Sequence, residues 1–224
     1  MTRNIAVIPV KGLLDSKSRL NRVLAPQDKK RLILAMLKDV LCSVRESELF
    51  SRVLVISPDW NVEREANLEP GIFVHQEGLG LNPGIRQATL QAMGAKASSV
   101  AVLLADIPLV QPNDLRELQT VGNTAQRVVL SPSLKGGTNV LIREPPDLID
   151  STYGRWSFSN HLRAAQKRRI PVYSVSNQRL SFDIDTPEDL GILSQRDPHA
   201  RTYTSRVIRT VPEVHAAVHA RKTA

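Results

Sequence analysis

The run NIAVIPV, Asn4 to Val10, is uncharged and almost wholly apolar. A strand with one wet face shows a polar residue at every second position, whereas an unbroken apolar run fits a strand covered on both faces. Strands of that kind belong to parallel sheets, whose neighbours are joined by long crossovers, usually helices. The following segments supply them. Pro26 opens a helical pattern in which Leu32, Ile33, Met36, Leu37, Val40, Leu41 and Val44 recur. Arg52–Ser57 reads as a second strand, Ile72–His75 as a third, Gly84–Met93 as a helix and Ser99–Leu104 as another apolar strand. This alternation predicts a three-layer α/β domain with a mostly parallel central sheet.

Beyond it, Val128–Ser131 and Thr138–Ile142 read as a strand pair around a Gly-Gly loop, Phe158–Arg168 as a helix and Ile170–Val175 as a strand. Thr186–Leu193 is a short helix with Thr186 as N-cap, Pro187 at the first helical position and Asp189 completing a capping box. The expected division is one domain over residues 1–195 and a basic tail over residues 196–224. In that tail six Lys or Arg face two acids, Asp197 and Glu213, half of the chain's formal excess of +8. It reads as a solvated tail or an oligomer contact, so a homodimer is the assembly it allows, with nucleic-acid binding the sharper alternative.

Composition narrows the function classes. An aromatic content of 4% disfavours a base-stacking platform for single strands. The lone Cys42 excludes an intrachain disulfide and a cysteine-cluster metal site, which fits a reducing cytoplasm. No apolar run approaches the roughly 20 residues of a membrane span, and the first run is too short for a signal-peptide core. A P-loop motif is missing, and the loop GLGLNPG, Gly78 to Gly84, departs from a dinucleotide fingerprint in the spacing of its third glycine. Of the five histidines, His215 and His219 stand four apart in the tail without the other features of a zinc site.

Three stretches carry chemistry. PVKGLLDSKSRL, Pro9 to Leu20, places Lys11, Lys17 and Arg19 among glycine and serine on a loop leaving the first strand, where open α/β sheets bind ligands. Cations and hydroxyls there suit a polyphosphate. LLADIPLV, Leu103 to Val110, ends a buried strand in Asp106, whose carboxylate points into the same crevice. In LSFDIDTPEDLGIL, Leu180 to Leu193, Asp183 and Asp185 alternate with Phe182 and Ile184, so an extended backbone puts both carboxylates on one face. Glu188 and Asp189 belong to the first turn of a helix, but Asp183 has no such local reason. Three aspartates around one or two Mg2+ ions, with phosphate oxygens completing the shell, relieve the repulsion.

Together PVK…SKSRL, LLADIPL, SPSLKGGTNVL, YGRWSFSNH and FDIDTPEDL resemble the 2-phospho-L-lactate guanylyltransferase family, over about Ile5 to Leu193. The resemblance implies an α/β nucleotidyltransferase fold of the GT-A-like, Rossmann-like kind. It implies transfer of GMP from GTP to 2-phospho-L-lactate, or to phosphoenolpyruvate, in biosynthesis of the deazaflavin coenzyme F-420. It assigns Asp106, Asp183 and Asp185 to magnesium, and Thr138, Gly154 and Ser157 to the phosphate and carboxylate of the acceptor. This chain reads GRWS in the acceptor loop, and the tail after Arg196 has no family role. Lys11 and Arg19 are then expected to stabilise the triphosphate as pyrophosphate leaves, with Lys17 a weaker candidate. The loop Gln76–Pro83, Asn82 included, is the expected place for the nucleotide. A phosphate nucleophile is ionised near neutral pH and needs no general base, so no catalytic histidine is expected. The alternatives are a related nucleotidyltransferase with another phosphorylated acceptor, and a basic nucleic-acid-binding protein.

Overall fold

β1 (Asn4–Pro9), buried along its whole length, lies inside the sheet, as its apolar run predicts. Its neighbours are β2 (Arg52–Ser57) and β4 (Ser99–Leu103), both parallel to it. β3 (Gly71–His75), β5 (Arg127–Pro132), β6 (Thr138–Glu144) and β7 (Val172–Ser174) complete a seven-stranded sheet of order β3-β2-β1-β4-β6-β5-β7. β6 alone runs against the others, pairing antiparallel with β4 and β5. The computed structural model describes residues 3–13, 16–122 and 124–211.

Alternate side chains of the strands go to opposite faces. Ala6 and Ile8 join Val53, Val55, Ala101 and Leu103 under α1 (Pro26–Ser47), α4 (Pro112–Thr120), α6 (Pro187–Arg196) and α7 (Tyr203–Arg209). Ile5 and Val7 join Leu54, Val100, Val102 and Leu130 under α3 (Leu81–Gly94) and α5 (Ser157–Lys167). Helices therefore cover both faces, the three layers expected from the alternation. Among the described residues no helix is long and apolar enough to cross a membrane.

Two differences from the sequence reading matter. α2 (Trp60–Glu65) and α4 were not read as helices; each is short and starts on a cap, Asp59 accepting from Asn61 N–H at 2.9 Å and Asp114 accepting from Gln111 N–H at 2.9 Å. The solvated tail after Arg196 is corrected as far as Val211. Asp39, buried on α1, accepts the Tyr203 and Thr204 amides at 2.7 and 2.9 Å, fastening the start of α7. Ile208 and Val211 then close over the α1 face, 4% and 2% exposed. Residues 212–224, with His215 and His219, lie outside the described residues.

Candidate active site

Because β1 and β4 are parallel neighbours, the loops leaving them open at the same edge of the sheet. β6 begins where β4 ends, with Leu104 N–H donating to Asn139 O at 3.0 Å. Ile184 N–H donates to Asp106 O at 3.0 Å, stitching the FDID segment beside that junction. Four segments distant in the chain thus share one rim.

Phe182 and Ile184 point into the core, 2% and 0% exposed, and Asp183 and Asp185 face the other way, as the alternation requires. With Asp106 they line a cavity of about 570 Å³. Ammonium groups stand between the carboxylates. Lys17 Nζ donates to Asp106 Oδ2 at 2.5 Å and to Asp185 Oδ1 at 2.6 Å. Lys135 Nζ lies 2.8 Å from Asp189 Oδ2, 3.5 Å from Asp185 Oδ2 and 3.6 Å from Asp183 Oδ2. Burial acts to strip Lys17 of its proton, but the two carboxylates prevail and raise its pKa above the ordinary lysine value.

The two aspartates of the FDID segment respond in opposite directions. Burial opposes ionisation at Asp185, yet Lys17, and behind it Lys135, hold that carboxyl well below the usual range. Burial pushes Asp183 up, the Asp106 charge adds to it, and the bond from Ser133 Oγ to Oδ1, at 2.6 Å, only moderates the effect. One carboxylate is thus committed to its charge and the other is short of a counter-charge. Such a pair titrates as a unit.

Lys17, the weaker candidate from sequence, is the most deeply placed of the three loop cations. Its backbone is left-handed, φ 54° and ψ 42°, which swings its side chain inward at a conformational cost. Lys11 and Arg19 are exposed; Arg19 lines an adjoining cavity of about 330 Å³, and Lys11 lines both cavities. The two cavities share Asp106 and Asp185 as a common wall. Thr138, Gly154 and Ser157 line the larger one, with Lys135, Arg155 and Trp156 around it. Gly154 has φ +133°, open to glycine and strained for other residues.

Asn82 is not on either cavity's wall; Leu81 beside it is. Its amide is spent on Tyr153, donating to the carbonyl at 2.9 Å and accepting from the N–H at 2.7 Å. Asn82 thereby straps the start of α3 to the loop carrying Gly154. The Asn139 amide is similarly occupied, donating to Leu180 O at 2.8 Å. The loop Gln76–Pro83 is organised by Gln76, whose amide donates to Gly80 O at 2.8 Å and also to Gly78 O. Sequence reasoning missed the depth of Lys17, the contacts of Lys135 and the buried His161, since each depends on residues remote in the chain.

Among the described residues no three His, Cys, Asp or Glu side chains close into a metal cage. The lysines fill the gaps instead. The donor set nonetheless suits a hard divalent cation: three carboxylates on one wall, with Asp106 Oδ1 buried and lacking a hydrogen-bond partner. A larger cleft of about 920 Å³ lies elsewhere, by Arg45, Arg196 and Arg206, and none of the three aspartates reaches it.

The family model "Guanylyl transferase CofC like" matches residues 4–222. The phosphoenolpyruvate guanylyltransferase of Rubrobacter xylanophilus is 39% identical over 189 residues, 84% of this chain and 92% of that one. The 2-phospho-L-lactate guanylyltransferase of Methanothermobacter thermautotrophicus is 34% identical over 212 residues, 93% of each. Among solved structures, a putative nucleotide-diphospho-sugar transferase from Desulfovibrio desulfuricans superposes with a TM-score of 0.77 at 20% identity, covering 97% of this chain and 99% of that one. A CMP:2-keto-3-deoxy-manno-octonic acid synthetase complexed with CTP gives 0.56 at 14%, covering 88% and 99%. At such identities the structural likeness is one of fold. A match across nearly the whole described chain, on an α/β sheet that gathers the expected carboxylates and cations at one rim, makes this chain a member of the guanylyl transferase CofC-like family.

Proposed function

We propose that this chain transfers GMP from GTP to phosphoenolpyruvate or 2-phospho-L-lactate, releasing pyrophosphate, as a step in biosynthesis of the deazaflavin coenzyme F-420. The observation that carries the reading is the shared wall: Asp106 and Asp185 border both cavities, so a triphosphate in one and a small phosphorylated acid in the other meet at the carboxylate–lysine cluster. An acceptor phosphate oxygen forms the new bond to the α-phosphorus, and the α–β anhydride bond breaks with its electrons leaving on pyrophosphate. Neither substrate has a proton to surrender at that step. What must be supplied is positive potential between two anions, and in-line placement.

Lys17, Lys11 and Arg19 supply it from the nucleotide side, and Lys135 from the acceptor side. Thr138 donates to the acceptor's phosphate or carboxylate, with Ser157 beside it on the same wall and the open backbone at Gly154 allowing close approach. Asp106, Asp183 and Asp185 are the residues to hold Mg2+, which when bound neutralises charge on both phosphates. The solved structures of this fold include one with manganese, from Mycobacterium tuberculosis, with a TM-score of 0.56. Phosphoenolpyruvate is the acceptor to try first, since the relative of that name has the higher identity of the two compared.

The test is incubation with GTP, Mg2+ and each acid, followed by mass analysis of the product. A guanosine diphosphate-linked acid with matching pyrophosphate is expected. Asp183→Asn is expected to lower turnover by about a hundredfold or more with circular dichroism unchanged. Turnover on a sugar phosphate and on neither acid defeats the acceptor assignment, and near wild-type activity in Asp183→Asn defeats the carboxylate assignment.

A further inference from the structure

His161, on α5, is completely buried behind the larger cavity, its ring edge-on to Tyr153 with centroids 5.1 Å apart. Its two ring nitrogens have different partners. Nε2 lies 2.8 Å from the Thr152 backbone N–H, which can only donate, so Nε2 is an acceptor and carries no proton. A neutral imidazole has one N–H, which must then be on Nδ1. Nδ1 is 3.0 Å from Thr138 Oγ1, so the ring donates to the threonine hydroxyl. Ser157 Oγ donates to the same oxygen at 3.3 Å. Both acceptor positions of the Thr138 hydroxyl are therefore filled, by His161 from behind and by Ser157 from beside it on the cavity wall, and neither contact takes its proton. The open side left to that proton is the cavity that Thr138 lines.

We propose that His161 is a positioning residue for the acceptor: by donating through Nδ1 it forces the Thr138 hydroxyl to act as a donor into the cavity, toward an anionic oxygen. The inference deepens the acceptor reading above and rests on it. Selectivity follows from the chemistry. A hydroxyl locked as a donor suits a phosphate or carboxylate oxygen, which accepts only, and opposes ligands that present N–H or O–H groups at that point. Burial also keeps the ring neutral, aided by the nearby Arg143 charge, so the arrangement persists across the neutral range.

Two substitutions separate this role from a structural one. In His161→Asn the side-chain amide nitrogen occupies the place of Nδ1 and keeps a donor toward Thr138. In His161→Gln the amide reaches the place of Nε2, keeping the Thr152 contact and losing the donor. With saturating GTP, His161→Gln is expected to raise the KM for the phosphorylated acid about tenfold or more while the KM for GTP stays within a factor of about two. His161→Asn is expected to recover most of that loss. Equal acceptor KM values in the two variants, or losses that track thermal stability alone, overturn the proposal.

A second measurement does not depend on turnover. In chain labelled with nitrogen-15 at histidine, long-range proton–nitrogen spectra should show a neutral His161 ring protonated at Nδ1. A ring protonated at Nε2, or at both nitrogens at pH 7, refutes the proposal whatever the activity. Absence of turnover by the wild-type chain on either acid, with the Nδ1 proton in place, instead counts against the acceptor reading and hence against the role given to His161.

Discussion

Lys17 spends left-handed backbone to bring one ammonium between two carboxylates, a geometry whose effect is readable by removing the charge. Lys17→Met leaves Asp106 without its cation and Asp185 with the Lys135 ammonium alone, 3.5 Å away. The two aspartate side chains are 20% and 33% exposed, so water relieves part of the cost, and a loss of about 1–3 kcal/mol in stability is expected from denaturant unfolding. If the carboxylates take a divalent cation, added Mg2+ or Mn2+ should restore the thermal midpoint of this variant by more than it raises the wild type's. An identical response in both chains removes the support for the metal assignment. His161 makes the second prediction at this scale. Burial pushes its pKa down to about 4 from an ordinary value of 6.5. The folded state then resists a proton that the unfolded chain accepts. Its contribution is present above pH 6.5 and lost as pH falls toward 4, at up to about 1.4 kcal/mol per pH unit. The stability difference between wild type and His161→Gln, followed from pH 7 to 4.5, should decline accordingly; a flat difference disproves a neutral buried ring.

At the scale of elements, periodicity and caps account for most of what was legible. The long apolar stripe of α1 and the uncharged runs of β1 and β4 declare themselves because one residue in two or in 3.6 reports its environment. The predicted capping box at α6 is visible in Asp189 Oδ2, which accepts the Thr186 and Asp185 amides at 2.8 Å each. Short helices give weaker signals. α2, of six residues, has one fully buried apolar side chain, Val62, too few to make a period. α7 was hidden by its basic residues, since its docking depends on Asp39, more than 160 positions earlier. α1 ends on Glu48, exposed and left-handed at φ 56°, where glycine costs less. Glu48→Gly is expected to stabilise by about 0.5–1 kcal/mol, a rise of about 1–4 °C in melting temperature by calorimetry. A lower melting temperature contradicts the strain argument.

For the molecule as a whole, the C-terminal segment changes status. Read as a solvated tail, residues after Arg196 were expendable; with Ile208 and Val211 sealing the α1 face, they are part of the core. Truncation after Arg196 should cost about 3–6 kcal/mol, the burial of two aliphatic side chains, and turnover should fall with the folded fraction. A truncated chain with unchanged urea midpoint and turnover refutes this. What the amino-acid order alone determined was local: the strand and helix periods, the carboxylates of Asp183 and Asp185 on one side of their segment, and Asp106 at a strand end. Which charges meet was decided by the sheet order, because β6 reverses beside β4 and carries Thr138 to the rim where Lys17, Asp106 and Asp185 converge. Periodicity senses neighbours a few residues away, whereas a pairing of groups from four distant segments exists only once the core has packed and set their distances.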